Sequence, residues 1–413
     1  MKISFDKIYF ALILFAIISF STFEIHYFLY LISIVFFYSR VSKEILNIIL
    51  FFITIILIAC ISSLFNDFVL FNWVKDLAYF SRPILAILAG FFISKKIGNF
   101  KSVLKIIVFV SFFFAIIHIF KIMFFIDFNT ANVSKIRSIG GISNEIEVFA
   151  LVILIASEKY KNIKIINNQF YKKIVLIIFS ISFLLYLSRT MMITLLIFLL
   201  ASFGYLKITR KSIKYGVLVL FSFGLFYGYL FSREFERSKP GIESFLYKMK
   251  IAPAEIFTPV KSIGNKSDAY LWDHWRAYEA TMAIQQIKTN LGFIVGNGFG
   301  SLVDLKFKAP IGEQNMRYIP ILHNGYVSIL FKSGILGLLF YFTLLLSLYL
   351  FCFNKTKDLD KKIVVNLISG MSVHFLFTSL IVTGMYNIME SYVFILGMLL
   401  SFSSSKQKKV FEK

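Results

Sequence analysis

Apolar residues gather into twelve runs of spanning or near-spanning length, near 8–23, 27–39, 45–65, 74–94, 103–125, 141–157, 173–188, 190–206, 214–232, 325–353, 363–383 and 389–404. Lipid offers no partner to a backbone amide, so each run is expected to be helical. The second run is short enough to thin the bilayer, pack inside the bundle or fail to span. Polar connections between runs are brief, except for one of about ninety residues, 233–322, between the ninth and tenth runs. A connection that long predicts a folded lid or binding element. It opens with a mixed-charge segment, REFERSKPG, and holds Pro240, Pro253, Pro259, Pro310 and Pro320, which argue against one continuous helix. Leu271, Trp275, Tyr278 and Met282 recur at helical spacing and predict an amphipathic helix lying on the bilayer surface or on the bundle. Gly292, Gly296, Gly298 and Gly300 mark a turn-rich stretch. The expected architecture is an all-α polytopic membrane protein of about twelve transmembrane helices, divided at 1–232, 233–322 and 323–413.

Composition agrees with the pattern. With 58% hydrophobic residues and a mean hydropathy of +0.78, a chain of 413 residues has too much apolar surface to fold in water alone. A net charge of +22 raises the question of a nucleic-acid partner. That reading needs a folded basic face, whereas these basic residues sit in short clusters between apolar runs, so no nucleic acid is expected. More than half of the 44 basic residues lie in seven segments that twelve spans would put on one side, including the amino end and the tail from Lys406 to Lys413. The short connections of the opposite face hold only Lys135, Arg137 and Arg189. Positive-inside topology then makes both termini cytoplasmic and the 233–322 loop extracytoplasmic. Cys60 and Cys352 lie in apolar stretches, which gives neither a disulfide framework nor a thiolate metal site. No cleavable signal is expected, because the first run lacks a small-residue cleavage site and leads into another apolar run.

There is no HExxH, no CxxC pair, no GxxxxGK[ST] and no carboxylate cluster at metal-ligand spacing, so neither a metal nor a nucleotide cofactor is expected. GNGFGS, residues 296–301, lacks the preceding strand and spacing of a dinucleotide fingerprint and reads as a turn. Four polar features are more informative. Arg189, in YLSRTMMITLLIFLL, is either a headgroup-snorkelling residue or an anion ligand, and its place on the face poor in positive charge adds weight to the second. Arg276, in LWDHWRAYEATM, either pairs locally with Asp273 or Glu279 or reaches a ligand. His323 stands where the long loop enters the tenth run, as a structural residue or as a base of near-neutral pKa. Arg82, in DLAYFSRPILAILAG, and Lys332, in the tenth run, are cations inside apolar helices and need a carboxylate or a bound phosphate. Glu390 is an internal partner or a second carboxylate base, while His118, His374 and Lys121 read as packing or snorkelling residues.

The stretch HNGYVSILFKSGILG from His323 to Gly337 resembles the HNxY…G[IL]xG signature of the O-antigen ligase and Wzy polymerase superfamily of bacterial membrane glycan-transfer enzymes. SRT at 188–190, WRAYEATMAI followed by GNGFGS, and IRSIGGISNEIEVFALVIL from Ile136 resemble the family in the same order. The resemblance implies a glycosyltransferase C-type membrane fold and metal-independent, inverting transfer. The donor would be a glycan on undecaprenyl diphosphate and the acceptor a glycan or lipid-linked glycan, with membrane lipids around the site and room for a chain-length regulator as partner. Carried onto this chain, it implies that Arg189 and Arg276 grip the donor diphosphate, a part for which Arg82 is a further candidate, and that His323 activates or orients the acceptor hydroxyl. The location implied is the bacterial inner membrane with the active site outside. A repeat-unit polymerase is favoured over a ligase acting on lipid A core. From other classes, a lipid flippase or secondary transporter would also use intramembrane cations, and a plain scaffold leaves the outward arginines unexplained.

Overall fold

The computed structural model describes residues 4–160, 163–260, 268–287, 289–311 and 314–404. All twelve apolar runs are helices. In chain order they are α1 (Phe5–Ser19), α2 (Phe23–Phe37), α3 (Lys43–Ser63), α4 (Leu70–Ile97), α5 (Phe100–Phe125), α7 (Glu145–Ala156), α8 (Gln169–Leu185), α9 (Arg189–Ser202), α10 (Arg210–Phe231), α14 (Gly325–Tyr349), α15 (Leu359–Ile381) and α16 (Tyr392–Ser404). Four more helices lie between them: α6 (Val133–Gly140), α11 (Ile242–Phe257), α12 (Asp268–Gln285) and α13 (Asn290–Val295). Six helices, α3, α4, α5, α10, α14 and α15, are long and apolar enough to cross a membrane, and α6 with α7 adds a seventh as a pair bent by 88°. The remaining five runs form helices of 13 to 17 residues. The protein is a mostly helical, multi-pass membrane protein.

Three features differ from expectation. The sixth run gives a helix of only 12 residues, α7, set at 88° to α6 across a break that begins at Gly141, whose φ of 105° few residues other than glycine adopt. The fold is not all-α: strands β1 (Val303–Ile311) and β2 (Gln314–Ile319) pair as an antiparallel hairpin. Arg317 clamps it by donating from Nε and Nη2 to the two Asp304 oxygens across the pair, at 2.8 and 3.0 Å. Finally, α12 packs on a hairpin as well as on α14 of the bundle. Its Trp275, Tyr278 and Met282 pack with Val303, Leu305 and Ile319 of the hairpin and with Leu322 and Phe331, giving the long loop a small core of its own. Leu271 has its side chain outside the described residues, as does the whole basic tail from Lys406.

The main core lies among α4, α15 and α16, whereas α10 leaves Leu218, Leu220, Phe221 and Leu225 exposed, as a lipid-facing helix should. The α4 and α16 backbones meet at Gly90 and Gly397, where a Cβ would collide with main-chain atoms of Phe394 and Ile87. GNGFGS is more than a surface turn. Gly296, Gly298 and Gly300 all take positive φ, so the loop threads between α3, α4 and α14. There the Asn297 and Gly298 N–H groups donate to the carbonyls of Phe331 and Lys332, just before a break in α14 at Gly334 (φ 65°, ψ −169°). Backbone that has left the helix at this depth is thus paired by protein.

Candidate functional site

The site is built around α12. Arg276 and Glu279 are three residues apart on it, on one face and about 4.5 Å apart along the axis at ~1.5 Å per residue. They serve two different neighbours.

Toward α11, Arg276 donates from Nη1 to Glu255 Oε2 at 3.0 Å, and Arg189, in the first turn of α9, donates from Nη2 to the same oxygen at 3.0 Å. Arg189 Nη1 also donates to the Lys248 carbonyl on α11. Two of the expected site residues therefore converge, on a carboxylate the sequence did not point to. Arg137 on α6 joins them. It donates to the carbonyls of Tyr186 and Leu187, at the chain entry to α9, and lies within electrostatic range of Arg189, Arg276 and Glu255. Burial draws the Arg276 guanidinium below its ordinary value while Glu255 opposes the shift, and its Nε is buried without a partner. Neither Asp273 nor Glu279 pairs with Arg276 as its local reading supposed. Asp273 holds Arg237 at 3.0 Å and accepts from Tyr247 Oη at 3.0 Å.

Toward α14, Glu279 Oε2 accepts from the His323 main-chain N–H at 3.0 Å and lies 2.9 Å from His323 Nδ1. A carboxylate only accepts, so this network assigns the proton of the neutral ring to Nδ1 and leaves the Nε2 lone pair available. Glu279 is buried while the His323 side chain is half exposed, so the anchor is fixed and the ring is accessible. Asn324 then caps α14, accepting from the Val327 N–H at 3.1 Å.

Residues 174–342 match the profile of the O-antigen ligase family. That segment is similar to the O-antigen ligase family. The matched segment contains Arg189, Glu255, Arg276, Glu279 and His323, and it supports a role as a membrane glycan ligase or polymerase. No curated protein matches the chain significantly.

Arg82 lies outside the matched segment and is not brought to the arginine pair. Its Nη1 donates to the Asn387 carbonyl at 2.6 Å and its Nη2 to that of Ile388, so main-chain oxygens answer the need for an anionic partner. Lys332 pairs with Asp76 at 2.6 Å, and the same oxygen accepts from the Gly300 N–H at 2.7 Å. This ion pair ties α14, α4 and the threaded loop together. Among the described residues, one group presents three potential metal-ligand atoms within 4.8 Å of one another: Glu145, His374 and Glu390. It sits inside the bundle, where Glu145 accepts from the Ser391 N–H and Oγ, and Thr194 lies 3.2 Å from His374 Nδ1. His374 is thus more than packing, and Glu390 has internal partners.

Sequence reading missed Glu255 and the role of Glu279. Glu279 had a signal, its place one turn beyond Arg276. Glu255, in IAPAEIF, had none, since only the folding of α11 onto α12 brings it between the arginines.

Proposed function

We propose that this protein is a membrane glycosyltransferase that moves an oligosaccharide from undecaprenyl diphosphate onto a glycan acceptor, as a surface-polysaccharide repeat-unit polymerase. In this reading all twelve helices serve the membrane fold of the glycosyltransferase C type, both termini are cytoplasmic in a bacterial inner membrane, and the site faces outward. The observation that carries it is the single turn of α12 joining Arg276, which shares an anion with Arg189, to Glu279, which orients His323. The Glu255 carboxylate, held between two guanidinia, marks where phosphate oxygens would bind, and the unpartnered Arg276 Nε offers one more donor.

The chemistry follows from that placement. The acceptor hydroxyl oxygen attacks the anomeric carbon of the donor from the face opposite the diphosphate, giving inversion, and its proton passes to His323 Nε2. The bond from the anomeric carbon to the diphosphate oxygen breaks, and the charge that collects on the leaving lipid diphosphate is met by Arg189 and Arg276. Guanidinium forks remain charged and match phosphate oxygens in pairs. Proton removal by a placed histidine is worth roughly 10²- to 10⁴-fold in rate.

The break in α14 at Gly334 is a feature a transporter would share. Here the carbonyls before the break accept from Asn297 and Gly298, not from a cavity, which favours the enzyme. Purified protein given a lipid-diphosphate glycan and acceptor should extend the glycan. His323→Ala and Arg189→Lys should each abolish extension while still inserting, the lysine because a point charge does not replace the fork. Normal glycan length with His323→Ala, or lipid movement between leaflets without transfer, would overturn the reading. Deleting the gene separates the two transfer reactions: single repeats on lipid A indicate a lost polymerase, and long chains stranded on the carrier lipid a lost ligase.

A further inference from the structure

Beside the arginine pair lies a cavity of about 350 Å³, bounded by the start of α6, the connection after α10 and the middle of α11. Pockets that hold small ligands begin near ~300 Å³, so there is room for a short piece of glycan and not for a chain. The lining suits a sugar. Asn132, Ser134, Ser238 and Ser244 line it with an amide and three hydroxyls, of which Ser244 Oγ is held within the wall by the Val133 N–H and the Gly241 carbonyl, and the only charged side chains among the lining residues are Arg237 and Lys248.

The lysine links this cavity to the site. Its carbonyl accepts from Arg189, and its Nζ donates to Ser134 Oγ at 3.2 Å across the cavity wall. Burial, with repulsion from Arg137, Arg237 and Arg189, pushes its ammonium down to about 8, and Glu255 only partly compensates. Arg237 is held by Asp273, and Lys248 has no carboxylate beside it among the lining residues, so the cavity keeps a positive charge that a neutral sugar does nothing to relieve. Lys248 precedes Glu255 by seven residues on α11, about 10 Å at ~1.5 Å per residue. That offset sets the cavity beside the proposed place of the diphosphate, within reach of a sugar attached to it.

We propose that this cavity is a glycan subsite selective for a sugar bearing an anionic group, a carboxylate or a phosphate, and that Lys248 with Arg237 sets the preference. The proposal rests on the transferase reading, and its test is one of binding so that the two can fail separately. Full-length protein in nanodiscs, saturated with inorganic diphosphate, is titrated with three soluble disaccharides: glucuronosyl-glucose, its 6-phosphoglucosyl counterpart and the neutral glucosyl-glucose. At least one charged disaccharide should bind about tenfold or more tighter than the neutral one, the scale of a charge-assisted hydrogen bond. Whichever charged form wins identifies the anion. Lys248→Met should remove the preference, and Lys248→Arg should keep it, which controls for misfolding. His323→Ala should bind like the parent while losing transfer, and an anionic preference in parent protein that shows no transfer would sink the transferase reading alone. Equal binding of all three sugars, binding of none, or a preference untouched by Lys248→Met overturns the proposal.

Discussion

Two sets of cations sit in this protein, and their surroundings differ. Arg189 and Arg276 keep 19% and 28% of their side-chain surface exposed and share one carboxylate oxygen. Lys332 and its partner Asp76 each keep 2%, and Arg82 is 1% exposed, with its two terminal nitrogens given to main-chain carbonyls. A cation enclosed with a permanent partner is part of the architecture, because removing either member strands a charge. A pair of guanidinia that share one side-chain anion near the surface can trade it for another anion. Position in an apolar helix is therefore a poor guide to function, and the exchangeability of the partner is a better one.

The largest effect expected from breaking this contrast is at the anchor of the histidine. Glu279→Gln keeps the shape but can offer its amide N–H to Nδ1, which favours the wrong tautomer, so transfer should fall on the order of 10²- to 10⁴-fold. A pH-rate profile checks it, since a purely structural lesion would lower the rate without moving the profile. On the enclosed side, Lys332→Met should cost ~3–5 kcal/mol of stability by leaving Asp76 buried and unpaired. Thermal unfolding in detergent should show the loss, and Asp76→Leu added to it should restore most of it. Activity per folded molecule should hold, and a specific loss there would erase the contrast.

A smaller and opposite effect is expected at Glu255. Glu255→Gln removes the charge that competes with the donor, so inorganic diphosphate should bind several-fold tighter, about the worth of one exposed to half-buried ion pair. Weaker binding would mean that the carboxylate positions the arginines and does not hold their place. The smallest effect is in pH. Lys248 is protonated below about 8, so preference for an anionic sugar should be full near neutrality and fade as pH rises through that value. Arg137, Arg189 and Arg237 face the same lysine, with Glu255 as the opposing carboxylate, and Lys248→Met measured across the same pH range separates its share from theirs.

The sequence by itself determined that this is a helical membrane protein, where its twelve apolar helices run, and which loop is exceptional. Those are properties of local pattern: an amide in lipid must bond within its own helix, and run length and charge are read residue by residue. It also singled out His323 and Arg189, because a polar residue at the edge of an apolar run is conspicuous in one dimension, and Arg276 through the resemblance of its WRAYEATMAI segment. The tertiary structure decided which of the candidates stand together. It put Glu255 between Arg189 and Arg276, gave Arg82 to the Asn387 and Ile388 carbonyls and Lys332 to Asp76, and set α7 at 88° to α6. It formed a hairpin from two strands that no alternation announced, folding them against Trp275 and Tyr278. Partners so far apart in the chain as Asp76 and Lys332, or Glu279 and His323, leave no mark on local pattern. Their pairing follows from the desolvation cost of a buried charge, and only packing determines which charges are buried together.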